Sequence, residues 1–263
     1  MTGFWPSFLV EIIKIKNSFA KWLILLGASL MPAFVAFVAL NKWKQLVKEI
    51  HDNPWPLFSE MSWKGMAFFY SVFFIVLLVC LYFNIEYKNN TWKHVFTLPI
   101  KKGQVYVNKL LAVVVFVVCY YILFVPFWII LGYLLGAIRP QLQLITHTPD
   151  LELLFLNCFH SVISSLSIIA IHIWLSIRFK NMIIPIGFAV FCSIVMVALF
   201  QGGAEEVKYF PYAYHYLSIS RPPFFHESKW GPLPQHEWYS LGYFFVFTML
   251  GYWDFTRKFS GNK

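Results

Sequence analysis

The sequence predicts an all-α polytopic membrane protein with six transmembrane helices, an amphipathic N-terminal helix at the membrane interface, and a short helix in the first cytoplasmic connection. Three observations carry this reading. The 263 residues are 59% hydrophobic and only 13% charged, against about 25% charged in a soluble domain. The charges gather between apolar runs of about 20 residues, the length that crosses a bilayer core. The runs are apolar throughout, whereas barrel strands alternate apolar and polar positions over about ten residues.

The six runs cover residues 20–40, 64–83, 110–138, 152–178, 182–200 and 238–255. What lies between them is too short for a second folded unit, so 1–263 reads as a single transmembrane domain. The first run is too long for a cleaved leader, and Asn41-Lys42-Trp43-Lys44 follows it in place of a small-residue cleavage site. Ahead of it stands FWPSFLVEIIKIKNSFAKW, where Phe8, Ile12, Ile15 and Phe19 recur at helical spacing while Glu11, Lys14, Ser18 and Lys21 follow another stripe. That pattern predicts a helix in the inner-leaflet interface, its lysines reaching the headgroups. Trp43, Trp55 and Trp63 near the ends of the first two runs read as interfacial anchors. Cys80, Cys119, Cys158 and Cys192 fall inside runs and read as small packing residues, with no metal-ligand spacing.

The net charge of +9 is a matter of topology here, not of nucleic-acid binding. Six spans put both termini on one side. That side holds Lys14, Lys16, Lys21, Lys88, Lys93, Lys101, Lys102, Lys109, Arg178, Lys180, Arg257, Lys258 and Lys263, thirteen of the 21 basic residues, while nine of the twelve acids lie on the other. The basic side is the cytoplasmic one. Both termini and the 84–109 connection then face the cytoplasm, and the long 201–237 connection faces out.

The 84–109 connection is polar, basic and compact. Asn89, Asn90 and Thr91 suit a helix start. Pro99 ends the helix near Leu98, and Gly103 permits the turn into the third span. Such a two-turn helix is marginal alone but presents Trp92, Val95 and Phe96 as anchors for a partner's groove. On pattern alone, a plain basic loop held by anionic lipid is equally possible.

The string Glu86-x4-Thr91-Trp92-x5-Leu98-Pro99-x-Lys101-Lys102-x3-Tyr106-x2-Lys109 resembles the first cytoplasmic loop of ABC-2 type permeases, the membrane subunits of ABC exporters. The six-span order, the N-terminal amphipathic helix and the long outer connection before the last span match as well. Among these permeases the chain looks closest to those of bacterial lantibiotic and bacteriocin immunity exporters. The resemblance implies that residues 84–109 form a coupling loop, with Glu86, Thr91, Trp92, Val95, Phe96, Leu98 and Pro99 linking the spans to a separate ABC ATPase. ATP and Mg would then bind the ATPase, with no cofactor in this chain. It also implies a second permease, identical or related, packed against the fifth span. There Gly187, Ala189, Ser193 and Ala198 are small enough for close approach, though not in one stripe. The resemblance further implies the bacterial cytoplasmic membrane as the location and a peptide antibiotic as the cargo. The alternative cargoes are a drug, a lipid-linked glycan, sodium or a haem-related compound.

The chain carries no energy source of its own. A P-loop needs G-x4-G-K-[ST], and the nearest stretch, GQVYVNKL, has Asn108 and Leu110 where Gly and Ser or Thr belong. Glu205-Glu206 suggests the paired glutamates of an intramembrane protease, but no Arg follows at the needed spacing and the pair lies outside the spans.

The fourth run is unusually polar. Asn157, Ser161, Ser165, His172 and Ser176 fall within about 100° of one another at the helical period, and His160, Ser164 and Ser167 widen the arc. The arc should face protein or water. Interhelical hydrogen bonding and a substrate or proton path both fit. In the 201–237 connection, Phe210, Pro211, Tyr212, Tyr214 and Tyr216 are too apolar for disorder. AEEVKYF and AYHYLSI suit helical turns, giving a folded outer cap that gates exit.

Overall fold

A computed structural model of the chain describes residues 3–16, 20–50, 52–88, 101–220 and 232–258. All regular structure among them is helical. The order is α1 (Phe4–Lys16), α2 (Ala20–Glu49), α3 (Trp55–Gly65), a π-turn (Met66–Tyr70), α4 (Ser71–Lys88), α5 (Lys102–Ile138), α6 (Leu151–Arg178), α7 (Ile183–Gln201), two 3-10 turns (Glu205–Tyr209 and Pro211–Ala213), α8 (Tyr214–Ser220) and α9 (Gln235–Lys258). α6 is central, with α4, α5 and α9 packed on it. α2 lies against α5, and α7 against α4 and α6.

Five segments are long and apolar enough to cross a membrane: Lys21–Glu49, Trp55–Lys88, Lys102–Ile138, Leu151–Arg178 and Ile183–Gln201. The sixth predicted span corresponds to α9. At about 1.5 Å per residue α9 is about 36 Å long, but its Tyr, Trp and Gly residues leave it less hydrophobic than the five. It lies along α6 and exposes Phe245, Val246, Met249, Leu250 and Trp253 as an apolar strip.

Two connections are more ordered than the sequence implies. α2 runs on to Glu49 because Trp43, Leu46 and Val47 continue to find apolar neighbours. Residues 55–65 form a helix, not a loop, so Trp55 and Trp63 are not interfacial anchors. Both are 1% exposed. The Trp55 indole donates to the carbonyls of Leu144 (3.1 Å) and His147 (2.9 Å) and packs on Phe58, Trp128 and Tyr133. Gly132 permits this, since a Cβ there would sit 2.6 Å from the indole. The π-turn joins α3 to α4, with the Ser71 hydroxyl donating to the Met66 carbonyl at 3.0 Å. Where α2 crosses α4, a Cβ on Gly27 would overlap the Phe74 ring, and the Tyr70 hydroxyl donates to the Gly27 carbonyl at 2.7 Å.

The stretch after α7 turns back into the bundle. Tyr212 meets Phe188 with ring centroids 6.3 Å apart, and its hydroxyl lies 2.8 Å from His172 Nε2. Phe188 is 13 residues before the end of α7, so Tyr212 reaches about 20 Å below that end. α8 then leads back out. Irregular backbone at that depth is tolerable only when covered by protein, and Pro211, Tyr212, Ala213 and Tyr214 are all buried.

Candidate functional site

Two polar assemblies interrupt the apolar bundle, one at each end. The first surrounds Glu86, near the end of α4, and Lys109, in the second turn of α5. These helices are the two stems of the 89–100 segment. Lys109 Nζ lies 2.5 Å from Glu86 Oε1 and 3.2 Å from Glu11 Oε2. Lys14 Nζ is 3.0 Å from both Glu86 and Glu11. The Tyr82 hydroxyl donates to Glu11 at 2.5 Å, and Lys109 also sits over the Tyr82 ring. Among the described residues the cluster holds two carboxylates and two ammonium groups, a neutral set of the kind a buried site favours. The Glu86, Glu11 and Lys109 side chains are buried, and Lys14 is partly open.

This geometry keeps Phe8 and Ile12 of the expected apolar stripe packed on the core and brings the polar stripe inward beside them. Glu11 and Lys14 face the bundle, and Trp5, Leu9, Val10 and Ile13 are exposed. Helical periodicity defines a polar stripe but not which side protein covers; here the buried charges on α4 and α5 claim it. Ser7 adds to the attachment, accepting from Gln104 Nε2 (2.9 Å) and Asn108 Nδ2 (2.7 Å). Burial alone would push the Glu11 carboxyl up, but the ammonium groups of Lys109 and Lys14 and the Tyr82 hydroxyl outweigh it and hold the carboxyl below its ordinary value. Burial pulls Lys14 down, and Glu86 and Glu11 more than restore it, so its value is raised. The attachment is thus fully present between the ordinary carboxylate and lysine values, about pH 4 to about pH 10, and fades only outside that window.

Of the coupling residues read from the sequence, Glu86 is the one in view; Thr91, Trp92, Val95, Phe96, Leu98 and Pro99 lie outside the described residues. Tyr106 and Lys109 of the same string join the base, the Tyr106 hydroxyl donating to the Thr248 carbonyl of α9 at 2.9 Å. Glu11, Lys14, Tyr82 and Asn108 carry no motif. A carboxylate flanked by Val10 and Ile12 was the available signal.

The second assembly lies along α6. The Ser165 hydroxyl donates to the Ser161 carbonyl (2.6 Å) and accepts from the Tyr121 hydroxyl and from His215 Nε2. Ser164 bonds Ser218 at 2.8 Å. Ser240 of α9 donates to the Ile163 carbonyl at 2.7 Å. His160 Nδ1 lies 2.8 Å from Glu237 Oε1, to which Ser218 also donates at 2.9 Å. Of the expected polar path, Ser161, Ser165 and His172 are buried and engaged inside the chain. Asn157 instead lines an outward cleft of about 370 Å³ with Ser59, Glu60, Trp63 and Ser218. Of the expected outer gate, Pro211, Tyr212 and Tyr214 are buried in the re-entrant segment, and Phe210 and Tyr216 are half-buried beside it. His215, Ser218, His236 and Glu237 were not singled out by the sequence.

The four small residues of the fifth span do not share a face. Ala189 and Ser193 are buried against their own bundle, so they cannot meet another chain in this conformation. Gly187 has open space around it and Ala198 is exposed. Large side chains, Ile183, Phe191 and Ile194, dominate the outward face.

A bundle of apolar helices, tied at one end around the stems of a polar loop and carrying a re-entrant segment at the other, defines the class: a polytopic helical membrane protein. Within that class the family is settled by comparison. The family model of the ABC-2 family transporter protein matches residues 7–196, and the chain belongs to that family, the membrane component of ABC transporters. No curated protein matches the chain.

Proposed function

We propose that this chain is the permease subunit of an ATP-driven exporter, moving its cargo outward across the bacterial cytoplasmic membrane, with both termini in the cytoplasm. A separate ABC ATPase, binding ATP and Mg, docks on the 84–109 loop through Trp92, Val95 and Phe96. A second permease completes the pathway through the outward face of the fifth span, where Gly187 and Ala198 lie. The cargo is a peptide antibiotic, on the resemblance to immunity permeases. The observation that carries the coupling reading is the Glu86–Lys109 contact: it joins the two stems of the loop, so a push on the loop reaches α4, α5 and α1 together. Exit is controlled at the other end by the re-entrant segment.

The test is co-purification with the cognate ATPase. Phe96→Glu is expected to cut recovery of the ATPase at least tenfold and to lower export equally, because a charge replaces an apolar anchor. Unchanged recovery and export would reduce 84–109 to a connecting loop. Topology is checked separately in a cysteine-free background. Cysteines at Asn90 and Glu205 should react with an impermeant reagent from opposite sides, and labelling of Asn90 from outside would invert the orientation.

A further inference from the structure

The assembly along α6 contains more titratable groups than packing requires. Glu237 is 0% exposed, His215 1% and His236 3%. They come from two different elements that close on α6, and His160 meets them from α6 itself. The hydrogen bonds fix most proton positions. With the Ser165 proton assigned to the Ser161 carbonyl at 2.6 Å, His215 donates to Ser165 through Nε2–H. Nδ1 of His215 is then a bare basic nitrogen, and it has no hydrogen-bond partner. Ser218 donates to Glu237, so His236 donates to Ser218 through Nε2–H. Glu237 Oε2 is also without a hydrogen-bond partner. Two proton acceptors, one on the re-entrant segment and one on α9, thus sit buried and unmet at the seams between α8, α6 and α9.

We propose that His215, with His236 beside it, forms a proton-binding site that latches the re-entrant segment: a proton taken up from the outer side releases α8 from α6 and α9. A proton on His215 Nδ1 places an imidazolium in a fully buried position with no acceptor for the new N–H, a state stable only after the segment moves toward water. Among the described residues, the surrounding groups do not offset it. α5 contributes the neutral Tyr121, and α8 itself Tyr214. On α3, Glu60 at the cleft is tied to Lys64. His172 pairs with Tyr212 deeper in, its Nδ1 likewise unmet. The inference rests on the reading of the segment as the exit gate.

The experiment uses the permease with its ATPase in cells, cysteine-free except for one reporter. Ala213→Cys, at a fully buried position, reports release. Glu205→Cys, at an exposed one, corrects for the reagent's own pH dependence. The ratio of their labelling rates with an impermeant maleimide is expected to rise about tenfold from pH 7.5 to pH 5.5, one proton binding an imidazole of ordinary pKa about 6.5 in the released state. His215→Asn keeps an N–H for Ser165 but cannot titrate, and should flatten the rise. A ratio that responds to ATP-driven turnover but not to pH in the unaltered latch overturns the proton site and leaves the gate standing. A reporter that is never labelled, or always fully labelled, under any pH or turnover overturns both.

Discussion

Lys109→Met is expected to leave little stably folded protein. Its ammonium is the inner cation of a neutral cluster, within 2.5 Å of Glu86 and 3.2 Å of Glu11. Methionine keeps the length and removes the charge. Among the described residues, the two buried carboxylates then share Lys14, which is partly open to solvent. Breaking a buried pair by removing one partner costs about 3–5 kcal/mol, a large part of the roughly 5–15 kcal/mol that holds a domain together. The measurement is the membrane yield and the thermal midpoint in detergent. The charge argument also predicts a rescue. The double variant Glu11→Gln, Lys109→Met restores neutrality, with Glu86 facing Lys14, and should recover much of the lost midpoint. If it melts as low as Lys109→Met alone, lost packing and not charge explains the damage. Glu86→Gln, which keeps a polar group in place, should spare assembly more than export, since it loosens the stems without leaving a bare carboxylate.

How much of this was legible in the sequence depends on the range of the interaction. The spans were legible because membrane insertion acts on local composition, and each long apolar run became a helix. The polar arc on α6 was legible as an arc, since its period is local. Its partners were not, because His215, Ser218 and Glu237 lie about 50–80 residues away from it, in the outer cap or at its junction with the last span, and no local pattern ties them to the arc. The same limit applied at the base. Lys109 and Glu86 were visible in one string, but Glu11 joined them only through the docking of α1. Trp55 shows a different failure: a tryptophan beside a span end is usually an interfacial anchor, and nothing local announces that its indole is needed by the carbonyls of Leu144 and His147. Hydropathy also understated α9, whose tyrosines and tryptophans score as polar while presenting an apolar strip.

Replacing residues 210–216 with a flexible Gly/Ser linker is expected to separate ATP hydrolysis from export. Tyr212 and Tyr214 are 2% and 0% exposed, and each aromatic ring of this kind buries about 150–250 Å². Their loss empties the space between α6, α7 and α9 that the re-entrant segment fills. The base of the bundle is untouched, so the ATPase should still co-purify. With the outer closure gone, basal ATP hydrolysis should rise several-fold while export falls to background. A milder change grades the effect. Tyr212→Phe removes only the hydroxyl that meets His172 at 2.8 Å, a bond contributing about 1 kcal/mol, and should raise basal hydrolysis by less than the linker does. Export at the unaltered rate in the linker variant, with the protein assembled, would strip the segment of any part in gating. Loss of assembly together with export would make it a structural wedge whose work is to hold α7 and α9 against α6.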